Sequence, residues 1–282
     1  MKSSWTYFDG AWQQGRVPLI GSTSQAVWLA SIVFDGARAF DGFAPDLDLH
    51  AARALESARK IGLEPTEQVD EIVALAREGI RKFPEGTALY IRPMFWGEDG
   101  FIVPDPAGSR FALVVHELPM PSEEGFTACR SSYRRPSPET AVTDAKAAAL
   151  YPNVARALKE AQERGFDNAV KLDLNGNVAE FATSNLLMAV DGVVHTPMPN
   201  GTFLNGITKQ RVMELLREDG YEIVERSITW PELMAADEVF STGNYGKVVA
   251  CTRLEDRELG RGPIGRRARE LYFAYASRHP VG

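Results

Sequence analysis

Glu180-Phe181-Ala182-Thr183-Ser184-Asn185-Leu186-Leu187 is followed by an Asp191-Gly192 turn and by Val194-His195-Thr196. After a loop rich in proline and glycine comes Leu204-Asn205-Gly206-Ile207-Thr208-Lys209. Asp-Gly between two apolar runs signals a two-residue hairpin, because both turn positions then adopt positive φ. Glu180 stands at the end of a strand between apolar Ala179 and Phe181, where a carboxylate is buried only if it is paired. The Gly206–Thr208 turn opens a helix, whose free N–H groups and dipole attract anions. One acid and one helix start suit a flat cationic ring at one end and a phosphate at the other.

The same punctuation divides the rest of the chain. Asp9-Gly10 joins Trp5-Thr6-Tyr7-Phe8 to Ala11-Trp12-Gln13 as an opening hairpin with a type I′ turn, and Asn175-Gly176 joins two further strands around Ala169–Leu174 and Val178–Phe181. The apolar period predicts helices over His50–Ile61, Thr66–Phe83, Asn153–Arg164 and Thr208–Glu218, three of them stopped by Gly62, Gly165 and Gly220. A short helix starts at Pro231, and strands are predicted at Ala88–Trp96, Phe111–Glu117, Thr127–Tyr133, Tyr221–Ile228 and Glu238–Ser241. Ala26–Phe34 reads either as a strand-like run or as a buried helix followed by a strand. Pro119-Met120-Pro121-Ser122-Glu123-Glu124-Gly125 is the best linker in the chain. The expectation is an α+β fold with mixed sheets: a small N-terminal α/β domain over 1–118, a linker over 119–126, and a large C-terminal domain over 127–282.

Composition narrows the function classes. The 282 residues are 44% hydrophobic and 24% charged, as in a soluble globular protein of two ordinary domains. The net charge of -7 is spread along the chain and argues against a polyanion as main partner. Cys129 and Cys251 stand far apart without metal-like spacing, and read as two buried free thiols. The opening Met1-Lys2-Ser3-Ser4-Trp5 lacks a signal-peptide pattern, and the longest apolar run, Ala26–Phe34, is about half a membrane span. A cytoplasmic protein with no membrane and no nucleic-acid partner is expected, and no metal.

The spacing of Glu180, Asn185 and Gly206-Ile207-Thr208 resembles the signature of the class IV aminotransferases, pyridoxal-phosphate enzymes of the branched-chain amino-acid aminotransferase type. The likeness runs from Phe34-Asp35-Gly36-Ala37-Arg38 to Asp237-Glu238-Val239-Phe240-Ser241, and implies the two-domain fold type IV, similar to D-amino-acid aminotransferase. Such a cofactor needs a lysine to bind it covalently, a carboxylate at its pyridine nitrogen, a phosphate cradle, and a holder for the substrate carboxylate.

Among the lysines, Lys2, Lys60, Lys82, Lys159 and Lys209 sit at a terminus or on polar helix faces, where solvated charge is the default. Lys146 lies in Thr143-Asp144-Ala145-Lys146-Ala147-Ala148-Ala149, and a lysine among small apolar residues loses solvation and becomes a better nucleophile. On spacing alone, an exposed lysine at an Ala-rich helix start explains it equally well. Lys171, in an alternating strand, is the runner-up and is expected to face solvent. The resemblance selects Lys146, because the family's lysine is followed five positions later by a tyrosine, here Tyr151.

By that likeness Lys146 holds the cofactor and moves the proton, Tyr151 bonds the ring hydroxyl, and Glu180 contacts the pyridine nitrogen. Arg53 matches the phosphate-binding arginine by its spacing to His50 and Ser57, and Gly206, Ile207 and Thr208 complete the cradle; a plain Thr N-cap is the bland alternative. Ser241-Thr242-Gly243-Asn244 resembles the second small-residue loop, so Gly243 and Asn244 join Asn185 as cofactor-binding positions. Tyr90 and Arg92, two apart on a strand, project to one face, and arginine presents a fork that matches a carboxylate. Phe34 and Arg38 are similar to the family's pocket motif, with Asp35 in place of glutamate.

Three departures lie near the substrate. Leu187 stands where the signature has an aromatic, Trp28-Leu29-Ala30 replaces His-Tyr-Gly, and Asp99-Gly100-Phe101-Ile102-Val103 lacks Gly-x-Gly. The resemblance implies a transaminase acting between a hydrophobic, branched-chain amino acid and 2-oxoglutarate, with small amino donors and 2-oxo acids as partners, built as a homodimer. D-amino-acid transaminase, (R)-amine transaminase and 4-amino-4-deoxychorismate lyase share the pattern, and a non-catalytic relative is the remaining class.

Overall fold

Asp9 and Gly10 take φ of 48° and 80°, the type I′ combination read from the sequence. β1 (Ser4–Phe8) therefore folds directly back on β2 (Ala11–Gln14), with Phe8 opposite Ala11. In the computed structural model, which describes residues 3–281, the chain clusters into two units. One comprises Met1–Met120, Asp144–Leu150 and Ala276–Gly282, and the other comprises Pro121–Thr143 and Tyr151–Tyr275. Met1, Lys2 and Gly282 lie outside the described residues.

In the first unit α1 (Gln25–Leu29) precedes β3 (Ile32–Phe34), so the helix-then-strand alternative for Ala26–Phe34 is the one adopted. β4 (Ala37–Ala39), α2 (Leu47–Lys60), α3 (Val69–Ile80), β5 (Leu89–Gly97) and β6 (Ser109–Glu117) follow. The sheet order is β2-β1-β6-β5-β3, with β4 also paired to β5. Leu89, Ile91 and Phe95 alternate onto one face of β5 and pack with Ala54, Leu55, Ala58, Ile72 and Ala76 from the two helices. Tyr90, Arg92 and Met94 are left half-buried on the opposite face. α3 is shorter at both ends than predicted, and at its start Glu71 accepts from the Gln68 N–H at 2.8 Å, which makes Val69 the first helical residue. Gly79 lets α3 approach closely: a Cβ there would meet the Trp12 ring at 2.5 Å.

The second unit contains β7 (Phe126–Arg130), α4 (Tyr151–Glu163), β8 (Asn168–Leu172), β9 (Val178–Phe181), β10 (Asn185–Val190) and β11 (Val193–Pro197). It continues with α5 (Ile207–Glu218), β12 (Ile223–Arg226), α6 (Trp230–Ala235) and β13 (Glu238–Gly243). β14 (Lys247–Leu254), β15 (Arg257–Glu258) and α7 (Pro263–Ala276) complete the chain and were not anticipated. The sheet runs β12-β11-β10-β13-β14-β7-β8-β9, with β15 on β14. It is mixed: β11/β12, β14/β7 and β7/β8 are parallel and the other pairs antiparallel. Asp191 and Gly192 form the expected turn with φ of 49° and 81°. The Asn175-Gly176 turn differs, since only Gly176 has positive φ. Asp173 organises it by accepting from the N–H groups of Asn175 and Asn177, both at 2.9 Å.

The units depart from the sequence division in two stretches. Residues 144–150, with Lys146, and residues 276–282 group with the N-terminal unit. Backbone pairing explains the first: Ala147 bridges Val33, and the Phe34 N–H donates to the Lys146 carbonyl at 3.2 Å. Among the described residues no helix is long and apolar enough to cross a membrane, and no His, Cys, Asp and Glu cluster could hold a metal ion. Cys129 and Cys251 are free and buried.

Candidate active site

In the first unit the loop between β3 and β4 places one carboxylate beside His50 and Arg53. Asp35 is fully buried and accepts from Arg53 Nε at 2.6 Å, from Arg53 Nη2 at 2.9 Å and from the Gly36 N–H at 2.7 Å. His50 Nδ1 lies 2.7 Å from the same group. His50 and Arg53 are three apart on α2 and so share a face. Burial by itself raises the Asp35 pKa, but the Arg53 charge and bonds, helped by His50, outweigh it and hold the carboxyl well below its ordinary value.

Lys146 is placed beside this group by main-chain contacts. Its N–H donates to Ser57 Oγ at 3.1 Å, and its Nζ lies 5.2 Å from the Phe34 ring centroid. Lys146, Phe34 and Arg53 are thus brought together within one unit. Arg38, opposite Tyr90 in the sheet register, is fully buried and donates to the Leu118 carbonyl at 2.5 Å and to Met120 Sδ at 3.0 Å. Tyr90 stacks on His116 with centroids 5.4 Å apart. Burial, then Arg92 and Arg38, push the His116 pKa down. Arg92 opens with Thr6, Gln14, Arg16 and Met94 onto a cavity of about 460 Å³.

In the second unit Asn185 joins Glu180 to Gly206. Its Oδ1 accepts from the Gly206 N–H at 3.0 Å, while its Nδ2 donates to the Leu204 carbonyl at 3.0 Å and to Glu180 Oε2 at 3.3 Å. The start of α5 is thereby tied to the end of β9. Gly206 is the N-cap of α5 and gives it no side-chain cap, so Thr208 lies inside the helix and the Thr N-cap alternative is not adopted. A Cβ on Gly206 would come within 2.1 Å of Asn185 Oδ1. Thr242 is the cross-strand neighbour of Asn185. Thr242 Oγ1 and Asn244 Nδ2 are buried without a hydrogen-bond partner among the described residues. Tyr151, at the first position of α4, is exposed.

Two lysines overturn their sequence reading. Lys171, expected to face solvent, is 0% exposed because both faces of β8 are covered. Lys209, expected on a polar helix face, is 1% exposed and bonds Glu225 at 3.0 Å and the Pro197 carbonyl at 3.3 Å.

A family model described as amino-transferase class IV matches residues 32–254. The chain is a class IV aminotransferase. A branched-chain-amino-acid aminotransferase of Escherichia coli is 29% identical over 96% of this chain and 93% of its own length. Its counterpart from Pseudomonas aeruginosa is 30% identical, covering 96% and 92%. An aminotransferase of Brucella abortus, solved bound to the cofactor PLP, superposes with a TM-score of 0.97 at 50% identity, over 98% of this chain and 100% of that one. The fold is that of the fold type IV enzymes, and the aminotransferase is a pyridoxal-phosphate enzyme.

The residues present fit that group. Thr242 Oγ1 and Asn244 Nδ2 are donors without an acceptor among the described residues, and the N-terminus of α5 presents N–H groups beside a glycine that leaves no room for a Cβ. Thr242 lies inside the Ser241–Asn244 motif but has no signal of its own there. Asp35 entered only as a replacement for glutamate, and Arg135, which lies 3.4 Å from Glu180 Oε1, carried no local signal at all.

Proposed function

We propose that this aminotransferase moves an amino group between a hydrophobic, branched-chain amino acid and 2-oxoglutarate. The observation that carries the reading is the single half-buried face of β5 on which Tyr90, Arg92 and Met94 stand, with Phe34 the cross-strand neighbour of Met94. A guanidinium there meets the second carboxylate of a glutamate or 2-oxoglutarate, and the apolar Phe34 and Met94 nearby on the strands suit an aliphatic side chain. The names of the relatives from Escherichia coli and Pseudomonas aeruginosa support the same substrate class.

Pyridoxal phosphate, when bound, supplies the electron sink that makes the substrate Cα–H acidic. The protein does the rest. Lys146 binds the cofactor through its amine and carries the proton at Cα. Glu180 keeps the ring nitrogen protonated, held by Asn185, and Tyr151 bonds the ring hydroxyl. Arg53, Gly206, Ile207 and Thr208 take the phosphate, and Gly243 and Asn244 line the cofactor with Asn185. Phe34, Arg38, Tyr90 and Arg92 serve the substrate, Arg38 through the backbone it ties at Leu118. The active form is a homodimer, and the enzyme works in the cytoplasm.

An amino-donor panel of L- and D-amino acids with (R)- and (S)-amines, using 2-oxoglutarate and pyruvate as acceptors, tests this directly. L-leucine, L-isoleucine and L-valine with 2-oxoglutarate are the expected best pairs. Preference for D-amino acids or (R)-amines would replace the substrate class. Pyruvate release from 4-amino-4-deoxychorismate without conversion by glutamate would replace transamination by lyase chemistry. Lys146→Ala is expected to abolish turnover and the visible cofactor band; a band that survives it would remove Lys146 from its role.

A further inference from the structure

Glu180 on β9 has Lys171 on β8 as its cross-strand neighbour, so the two side chains leave the same face of the sheet. Lys171 is 0% exposed, and its Nζ has no hydrogen-bond partner in the protein among the described residues. Arg135 is 5% exposed; its Nε lies 3.4 Å from Glu180 Oε1 and donates to the Thr202 carbonyl at 2.7 Å. From β10 the Asn185 amide meets Glu180 Oε2. From α5, Lys209 also feels the Glu180 charge, but its ammonium is committed to Glu225 and the Pro197 carbonyl. A buried ammonium without partners is strongly disfavoured unless a carboxylate compensates it. For Lys171 the compensating carboxylate is Glu180.

We propose that Lys171 is a positioning residue for Glu180, holding that carboxylate ionised and oriented, together with Arg135, toward the ring nitrogen of bound pyridoxal phosphate. The inference rests on the cofactor role proposed for Glu180. Burial, then Arg135, lower the Lys171 pKa to about 8, opposed by Glu180, so the ammonium persists through neutral and acidic pH. A carboxylate flanked by two cations resists protonation there, and the ring nitrogen keeps its acceptor in mild acid.

The test is cofactor affinity of the holoenzyme, measured by equilibrium dialysis of pyridoxal phosphate from pH 5 to 9. Wild type, Lys171→Met, Lys171→Arg, Glu180→Gln and the Lys171→Met/Glu180→Gln double variant are compared. Loss of the ammonium is expected to move the acidic limb of the affinity profile upward by about one pH unit. Lys171→Arg restores the limb, and in the Glu180→Gln background the Met substitution moves nothing. A lysine with a merely structural role would weaken affinity equally at every pH, which overturns the proposal. So does a Lys171→Met profile that superimposes on wild type while Glu180→Gln weakens binding; in that case the cofactor role of Glu180 stands. An unchanged profile for Glu180→Gln removes that role instead, and the proposal with it. Should methionine at this position prevent folding, Lys171→Gln carries the same comparison.

Discussion

Asp35 grips Arg53 through two bonds, Nε to Oδ2 at 2.6 Å and Nη2 to Oδ1 at 2.9 Å, from a fully buried position. The pairing fixes the arginine's direction, since a planar fork bound at two points cannot swing. Asp35→Asn keeps the shape and removes the charge, leaving Arg53 and His50 without their shared anion. Stability measured by denaturant unfolding is expected to fall by about 3 kcal/mol. Pyridoxal phosphate affinity is expected to weaken by roughly tenfold, about 1.4 kcal/mol, if the arginine holds the phosphate. An Asp35→Asn enzyme with wild-type affinity would separate Arg53 from the cofactor.

The same carboxylate gives the fold an acid limit. In the unfolded chain Asp35 titrates near its ordinary 3.8, and in the fold it titrates lower. A group with a depressed folded pKa contributes stability that is complete above the unfolded value and lost as pH falls through the folded one. Unfolding free energy is therefore expected to drop as pH is lowered below about 4, and the Asp35→Asn variant to show a shallower drop over that range. Parallel slopes for the two proteins would assign acid unfolding to other carboxylates.

How much of this was legible follows from where the signals lie. Asp9-Gly10 and Asp191-Gly192 were readable because a two-residue turn is decided by its own two residues, both at positive φ. The Glu180, Asn185 and Gly206 motif was readable as a pattern, yet its wiring was not: Asn185 bonds Gly206 from twenty-one positions away. Lys171 misled because alternation in Val170-Lys171-Leu172 assigns it a polar face, whereas tertiary packing covers both faces of β8. Asn175-Gly176 misled in the opposite sense, since the nearby Asp173 side chain captured the Asn177 N–H that a two-residue turn would have used, and the Asn175 N–H with it. Arg135 and Thr242 acquire meaning only through neighbours distant in sequence, Glu180 and Asn185.

Gly206 has ordinary backbone angles, φ -62° and ψ 139°, which any residue adopts. Its requirement for glycine is one of space, because a Cβ would lie 2.1 Å from Asn185 Oδ1, an atom held in place by the bonds its amide makes to Leu204 and Glu180. Gly206→Ala is expected to cost about 1–3 kcal/mol of stability through overpacking and to weaken cofactor affinity. Asn185→Ala removes the obstacle. In a double-mutant cycle the pair should therefore lose less than the sum of the single losses, and strict additivity would show that the clash is relieved elsewhere.

Lys209 and Glu225 offer a contrast between breaking and replacing a charge pair. The ammonium is 1% exposed and the carboxylate 33%. Glu225→Ala leaves the ammonium with the Pro197 carbonyl. A loss of about 2 kcal/mol is expected, below the 3–5 kcal/mol of fully enclosed pairs because the Glu225 side is partly wet. Lys209→Met removes the buried charge itself and is expected to be nearer neutral in the same denaturation assay. Equal losses for the two variants would mean that the lysine stem, and not its charge, carries the contribution.

Lys171 makes stability depend on alkaline pH in a direction opposite to most lysines. Its folded pKa is lowered from 10.5 to about 8, by burial first and by Arg135 second. Between those two values the unfolded chain binds a proton at this site that the folded chain has released. Stability rises with pH wherever the unfolded state holds more protons, so the penalty this group places on folding is relieved progressively from about pH 8 to 10.5. Below about pH 8 both states carry the charge, and the fold bears the part of the ammonium's desolvation that Glu180 does not offset. Lys171→Met removes this penalty entirely. Melting temperatures are expected to be higher for the variant than for wild type at pH 7, with the gap closing as pH approaches 10. A gap that stays constant over that range would show that Lys171 keeps the same charge in both states and that its burial is offset fully by Glu180.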